Sequence, residues 1–314
     1  MGVVDFHIHP VIRVSSILAE MDRAGVEYGV LLGLDLSTDP LKRRSVREKL
    51  RKRFYSSSWL AYRPELWRIF PTGGSVEDAV RRFFEMLRES YPEAKVSNRE
   101  VAELAELSGG RLVAFGSVNV GMGSRYVREK LREIDELNLK GIKVLPTLQF
   151  FNPARDKAFK LVLEYCEKNR RMLVYHTGCD PGPFEIPDLA EDANPRHLME
   201  VLEEYTPTVV LTHMGSYSAI APGIWFYEAL DVMRKFDFVY ADIAAVTGFI
   251  LKRKVVSEIR NTVGFDRVLF GSDYPVLVGS NIAREVLAVR EAPSLTPAEK
   301  EMILELNARK LLGL

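Results

Sequence analysis

Short apolar runs rich in β-branched residues recur along the chain. Each is followed by a stretch whose apolar positions fall three and four apart. The runs predict strands at Val3–His9, Tyr28–Leu34, Arg111–Asn119, Gly141–Leu145, Met172–His176, Thr208–His213, Phe238–Asp242 and Arg267–Gly271. From the fourth strand onward the starts are spaced by roughly 30 to 36 residues, the length of a strand, a helix and two loops. Arg125–Leu137 and Ala158–Lys168 carry helical spacing. Asn194-Pro195 and Thr296-Pro297 read as N-caps followed by Pro at the first helical position. Eight such repeats predict an α/β fold, a closed (β/α)8 TIM barrel. A doubly wound open sheet is the rival, but it favours a Gly-rich phosphate loop after the first strand. Here that strand ends in His9-Pro10.

One interval breaks the rhythm. Residues 35–110 separate the second and third strands, and Ser75–Tyr91 and Asn98–Leu107 read as helices within them. The expectation is one barrel domain over 1–314 with a helical cap inserted at 35–110. Trp59, Tyr62, Trp67 and Phe70 would glue that cap to the barrel.

His7 and His9 are two apart on the first strand, so alternation points both to one face, with Asp5 deeper on the same face. His176 ends the fifth strand, His213 the sixth, and Asp273 follows the eighth. A barrel gathers C-terminal strand ends around one axis, where active sites form. Three imidazoles and a carboxylate that leave a position open for water are the layout of a catalytic zinc site.

Composition narrows the function classes. Lys+Arg and Asp+Glu both number 43, and 47% of residues are hydrophobic. Such a chain has no long-range pull on phosphates and is not disordered. Neither nucleic acid nor membrane is expected as a partner. The two cysteines, Cys166 and Cys179, are too few for a disulfide framework or a thiolate zinc site. The N-terminus shows no signal-peptide pattern, and no run of 18 apolar residues occurs. A cytoplasmic protein acting on a small molecule is expected, with a homodimer as the default assembly. Gln149 is the only glutamine while Glu, Lys and Arg abound, a bias seen in thermophiles.

Together, Asp5-x-His7-x-His9, His176-Thr177-Gly178, His213-Met214-Gly215 and Gly271-Ser272-Asp273-Tyr274-Pro275 resemble the amidohydrolase superfamily. More narrowly they resemble its amidohydrolase-related branch, which holds aminocarboxymuconate-semialdehyde decarboxylase and related hydrolases and decarboxylases. The ending Asn307–Leu314 is similar to that branch's usual one. TatD-type nucleases are similar at the first strand but usually carry Glu-Thr-Asp-x-Pro after the eighth. The resemblance implies that His7, His9 and His176 bind a divalent metal, with one zinc the default. Asp273 would be a fourth, weak ligand and the proton carrier. His213 would polarise the substrate or orient the water, with second-metal ligand as its rival role. Lys143 lies at the mouth end of the fourth strand. In binuclear superfamily members a carboxylated lysine from that strand bridges two metals. The preferred reading here is an ammonium paired with Asp273 or another carboxylate.

The implied function is a metal-dependent hydrolase of a small-molecule amide, ester, lactone or ring C–N bond. The alternative is a nonoxidative decarboxylase of an unsaturated or aromatic carboxylic acid, which would need a cation for the carboxylate. Arg13 and Arg63 are the candidates. A phosphoesterase and a noncatalytic metal-binding protein are further alternatives, the last opposed by the intact ligand positions. Among weaker features, the Cys179-Asp180 loop is expected to line the pocket without a catalytic thiol. His197 is expected to face solvent and Cys166 to lie in the core. The run Lys42–Arg53, with eight Lys/Arg and one Glu, reads as a solvated helix face.

Overall fold

A computed structural model describes residues 2–70, 75–91 and 95–314, so 71–74 and 92–94 of the expected cap lie outside the described residues. The chain forms the expected barrel of eight parallel strands in sequence order. They are β1 (Val4–Ile8), β2 (Tyr28–Leu32), β3 (Leu112–Ser117), β4 (Gly141–Val144), β5 (Met172–Tyr175), β6 (Val209–Leu211), β7 (Val239–Asp242) and β8 (Val268–Leu269). Backbone bonds from Phe6 N to Phe270 O (2.9 Å), Asp273 N to His7 O (2.9 Å) and His9 N to Tyr274 O (2.8 Å) carry β8 back to β1. No helix among the described residues is long and apolar enough to cross a membrane.

The strands are shorter than the apolar runs that predict them, most of all β6 and β8. Parallel strands are covered on both faces, so apolar runs report burial rather than ladder length. The interior is filled by Val4, Phe6, Val30, Leu32, Phe115, Val174, Val210 and Leu269. A larger cluster joins the outer strand faces, among them Ile8, Leu31, Ile142 and Leu173, to helix residues such as Ile17, Val127, Phe159 and Ile259. Cys166 is buried there.

Simple alternation from Asp5 to His9 fails at one place. The register between β1 and β2 shifts between Asp5 and Ile8. Val4 and Phe6 belong to the interior cluster, yet His7 and His9 also point inward while Ile8 packs under the helices. A bulge of this kind re-aims side chains beside a site. Asp5 turns to backbone instead, accepting from His7 N and Ser272 N, both at 3.0 Å.

The excursion after β2 is shorter than expected. Leu34 and Val96 pair as an isolated antiparallel bridge at its neck. The helix Asn98–Leu107 beyond it lies on the barrel, with Val101 in the main core and a Ser97–Glu100 capping box at its start. Within the excursion, Leu50, Phe54, Phe70, Phe83 and Leu87 form a second core against Leu145 and Phe150 after β4 and Phe184, Ile186 and Leu189 after β5. Trp59 and Trp67 pack against it, but Tyr62 is 86% exposed.

The basic run is not merely a solvated face. Arg53 grips buried Asp192 through two bonds of 2.8 Å, and Lys49 adds a third of 2.6 Å. Asp188 takes Ser57 Oγ at 2.7 Å and Trp59 N at 3.2 Å. Lys42 with Asp39 and Arg44 with Glu48 form exposed pairs on the solvated side of the run, which contribute little. Asp192→Ala should therefore lower unfolding stability by about 2 kcal/mol, less than a fully buried pair because Lys49 and Arg53 keep some solvent. Denaturant melts check this, and an unchanged midpoint would show that the latch carries no weight.

Candidate metal centre

The chain end of β1 and the turn after β8 bring three donor atoms together. His7 Nε2 and His9 Nε2 are 3.2 Å apart. Asp273 Oδ1 lies 2.9 Å from His9 Nε2 and 3.3 Å from His7 Nε2. All three side chains are buried. Ligands about 2.0–2.1 Å from a tetrahedral ion stand about 3.3 Å from one another, so this donor set fits a divalent metal.

The other ring nitrogens decide which lone pairs face inward. His7 Nδ1 meets Asp242 Oδ2 at 2.9 Å, and His213 Nδ1 meets the carbonyl of Ala244 at 2.8 Å. A carbonyl only accepts, so His213 Nδ1 carries the proton and its Nε2 the lone pair. The Asp242 contact assigns His7 the same way, the usual support of a metal-binding imidazole. Burial holds His7, His176 and His213 below the ordinary histidine range, which favours the neutral ligand form. Burial alone would raise Asp273, but the hydrogen bond from His9 and the neighbouring imidazoles outweigh it and hold the carboxyl below its usual range.

His176 stands one step away from the three-atom group. Its ring centroid is 5.1 Å from that of His213, which in turn is 5.0 Å from that of His7. Its Nε2 lies 3.2 Å from Asp180 Oδ1 without forming a hydrogen bond. His197, the fifth histidine, is half-buried beside Glu191 rather than free in solvent.

The motifs have local causes. His213 (φ 59°), Met214 (φ 44°) and Asp273 (φ 60°) adopt the left-handed region, which such residues occupy only where the surroundings impose it. The glycine two places after each of His176 and His213 is also required. Gly178 and Gly215 have positive φ, and a Cβ would come within 2.8 Å of Tyr217 O and 2.3 Å of Trp225 O respectively.

A cavity of about 220 Å³ opens over these groups. Its polar floor is His9, Lys143, His176, Asp180, His213 and Asp273. Leu34, Leu36, Leu145, Leu148, Val11 and Val276 supply aliphatic wall. The loop after β5 lines it through Asp180 and Pro181, as expected. Lys143 departs from expectation. It is 1% exposed, and its ammonium has no hydrogen-bond partner and no ion pair among the described residues. Burial pushes it down to about 8 and pushes Asp180 up to about 8. The two arginines suggested for a substrate carboxylate are elsewhere. Arg13 lines a separate hollow with Lys95 and Glu103, and Arg63 lies over the Trp59 ring.

Sequence reasoning overlooked Asp242 and gave Asp180 no role. Asp242 ends β7, and that position at a strand end was its only signal. Buried completely, it also accepts from the backbone N–H groups of His213 (2.8 Å) and Ala244 (3.1 Å).

A family model described as amidohydrolase matches residues 4–314. No curated protein matches the sequence. Among solved structures, an uncharacterized TIM-barrel protein from Bordetella bronchiseptica is similar at 17% identity, with TM-score 0.69 over 100% of this chain and 99% of that one. 2,6-Dihydroxybenzoate decarboxylase from Rhizobium is similar at 16% identity and TM-score 0.61, covering 100% and 99%. A probable 2-pyrone-4,6-dicarboxylic acid hydrolase from Acinetobacter baumannii is similar at 14% identity and TM-score 0.63, covering both chains fully. At these identities the likeness speaks for the fold.

The arrangement yields a test through Asp242. In Asp242→Asn one oxygen becomes an NH2 group that cannot accept, so either His7 or the His213 backbone loses its partner. Metal affinity should fall about 10- to 100-fold, as measured by competition with a chelator. Native affinity in a folded Asp242→Asn protein would show that ligand orientation does not depend on this carboxylate.

Proposed function

The chain belongs to the amidohydrolase family, and from that premise we propose that it is a zinc-dependent hydrolase of a small molecule bearing an amide, ester, lactone or ring C–N bond. The observation that carries this reading is the trio His7 Nε2, His9 Nε2 and Asp273 Oδ1 beneath a small aliphatic-walled cavity. His176 joins these as the further ligand. A divalent ion held there supplies a water whose pKa falls to about 7.

The chain's own residues then divide the work. Asp273 accepts a proton from the attacking oxygen and passes it to the leaving nitrogen or oxygen. His213 presents a lone pair at Nε2, because its proton is committed to Ala244. It therefore serves as a base that orients the water rather than as a donor that polarises the substrate. Lys143 offers its unpaired ammonium to a substrate oxygen. Within the 35–110 insertion, Leu36 shapes the cavity, and Leu50, Phe54, Phe70, Phe83 and Leu87 brace the loops after β4 and β5.

Decarboxylation is the second reading, favoured by the same unpaired Lys143, which could receive a substrate carboxylate. The placement of Arg13 and Arg63 away from the cavity speaks for hydrolysis. An alternative state of Lys143, carboxylated and bridging a second ion beside His213, would double the metal content and make loading depend on bicarbonate.

A panel of lactones, amides, esters and aromatic acids, assayed with added Zn2+, Mn2+ or Co2+, separates these readings. Hydrolysis without CO2 release is expected. CO2 release from an acid with no hydrolysis would replace the first reading by the second. On any substrate found, Asp273→Asn should keep near-normal metal content and lose turnover by roughly 10²-fold or more. Retained turnover with metal confirmed would remove Asp273 as the proton carrier.

A further inference from the structure

Asp180 has no part in the mechanism above, yet its surroundings leave it unsatisfied. Its side chain is 7% exposed and borders the cavity. Among the described residues no N–H or O–H donates to either of its oxygens. His176 Nε2 lies 3.2 Å from Oδ1 without a hydrogen bond between them, and Oδ2 has no partner. The carboxylate is not loose. Asp180 N donates to Phe184 O at 3.2 Å and Cys179 N to Tyr217 O at 2.7 Å, while Gly178 is wedged against Tyr217. A buried carboxyl group fixed without donors is costly unless something that enters the cavity supplies them.

Lys143 is the complementary case on the same floor, a buried donor with no acceptor. One small space thus offers an unfilled acceptor and an unfilled donor between aliphatic walls. A secondary amide or lactam satisfies both, since its carbonyl oxygen accepts and its N–H donates. An ester or lactone of the same shape brings only acceptors, which can pair Lys143 but give the Asp180 carboxylate no donor.

We propose that Asp180 is a specificity residue that accepts a hydrogen bond from a substrate N–H, so that the substrate class is small secondary amides, lactams and ureides rather than esters or lactones. This rests on the hydrolase reading for the bond that breaks. Water oxygen bonds to the carbonyl carbon, the C–N bond opens, and the nitrogen leaves with the proton carried by Asp273. Recognition of the N–H precedes that chemistry and is measured without it.

The test compares 2-piperidone with cyclohexanone, a ring of the same size that has CH2 in place of N–H. Dissociation constants are read by ligand-observed NMR on the metal-loaded native protein, Asp180→Ala and Asp180→Asn, with metal content measured in each sample. The native protein should prefer 2-piperidone by about 10-fold or more. Asp180→Ala should abolish the preference with metal content unchanged, and Asp180→Asn, which keeps an acceptor oxygen, should retain part of it. An equal preference in native and Asp180→Ala proteins would overturn the proposal. So would loss of metal in Asp180→Ala, which would make the residue a ligand or a support for His176, or failure of 2-piperidone to bind the native protein. A native protein that shows the preference but hydrolyses no amide, ester or lactone would remove the hydrolase reading alone. Hydrolysis without the preference would remove only the role of Asp180.

Discussion

Asp242 is buried at the end of β7, and its two oxygens are committed to His7 Nδ1 and to the backbone N–H groups of His213 and Ala244. Those contacts fix which nitrogen of His7 faces His9 and Asp273. They also pin the turn in which His213 leaves β6. Ala244 then returns its own carbonyl to His213 Nδ1, so one short segment orients two imidazoles. Burial raises Asp242, and His213 with the backbone donors opposes that rise. A carboxylate that never reaches the cavity therefore sets the lone-pair directions on which metal capture depends.

The mouth concentrates opposed charges in a dry place. Lys143, Asp180 and Asp273 share one cavity floor, and burial drives the first two toward the neutral form. Only Asp273 is surrounded closely enough by imidazole to hold its carboxyl low. A bound divalent cation would be the largest charge present and would reset all three. The aliphatic wall matters for the same reason. Leu34, Leu36, Leu145 and Leu148 keep water from screening these groups, so each polar contact a substrate makes there counts for more.

Much of this was legible because barrels put chemistry at strand ends. His7, His9, His176, His213 and Asp273 stand out as polar residues closing apolar runs, and the structure gathers them at one mouth. The rest was hidden for physical reasons. The bulge in β1 changes the phase of alternation, and nothing in Asp5–His9 announces it. Asp242 looks like any polar residue at a strand end, since its partners lie on β1 and in the β6 turn, far away in sequence. The basic run failed as a charge pattern because Asp192, its partner, is about 140 residues distant. The helix Asn98–Leu107 was assigned to the cap for want of any sequence mark at the Leu34–Val96 neck.

The costs of this design are local. His213, Met214 and Asp273 hold left-handed backbone, each at about 1–3 kcal/mol. Lys143, Asp180 and His176 are left with buried unpaired atoms on the same cavity floor. Such concessions persist only if the frame around them over-determines the geometry. Here it does so from three sides. The 270–274 segment is hydrogen-bonded along β1, Asp5 ties Ser272 to the bulge, and Gly178 and Gly215 let the β5 and β6 turns press against Tyr217 and Trp225. The barrel below is filled by a continuous apolar interior. At the mouth of the barrel, strain and unmet hydrogen-bonding capacity thus coincide. That is where binding can relieve the unmet polar groups, and where a fold selected for stability alone would have placed apolar residues instead.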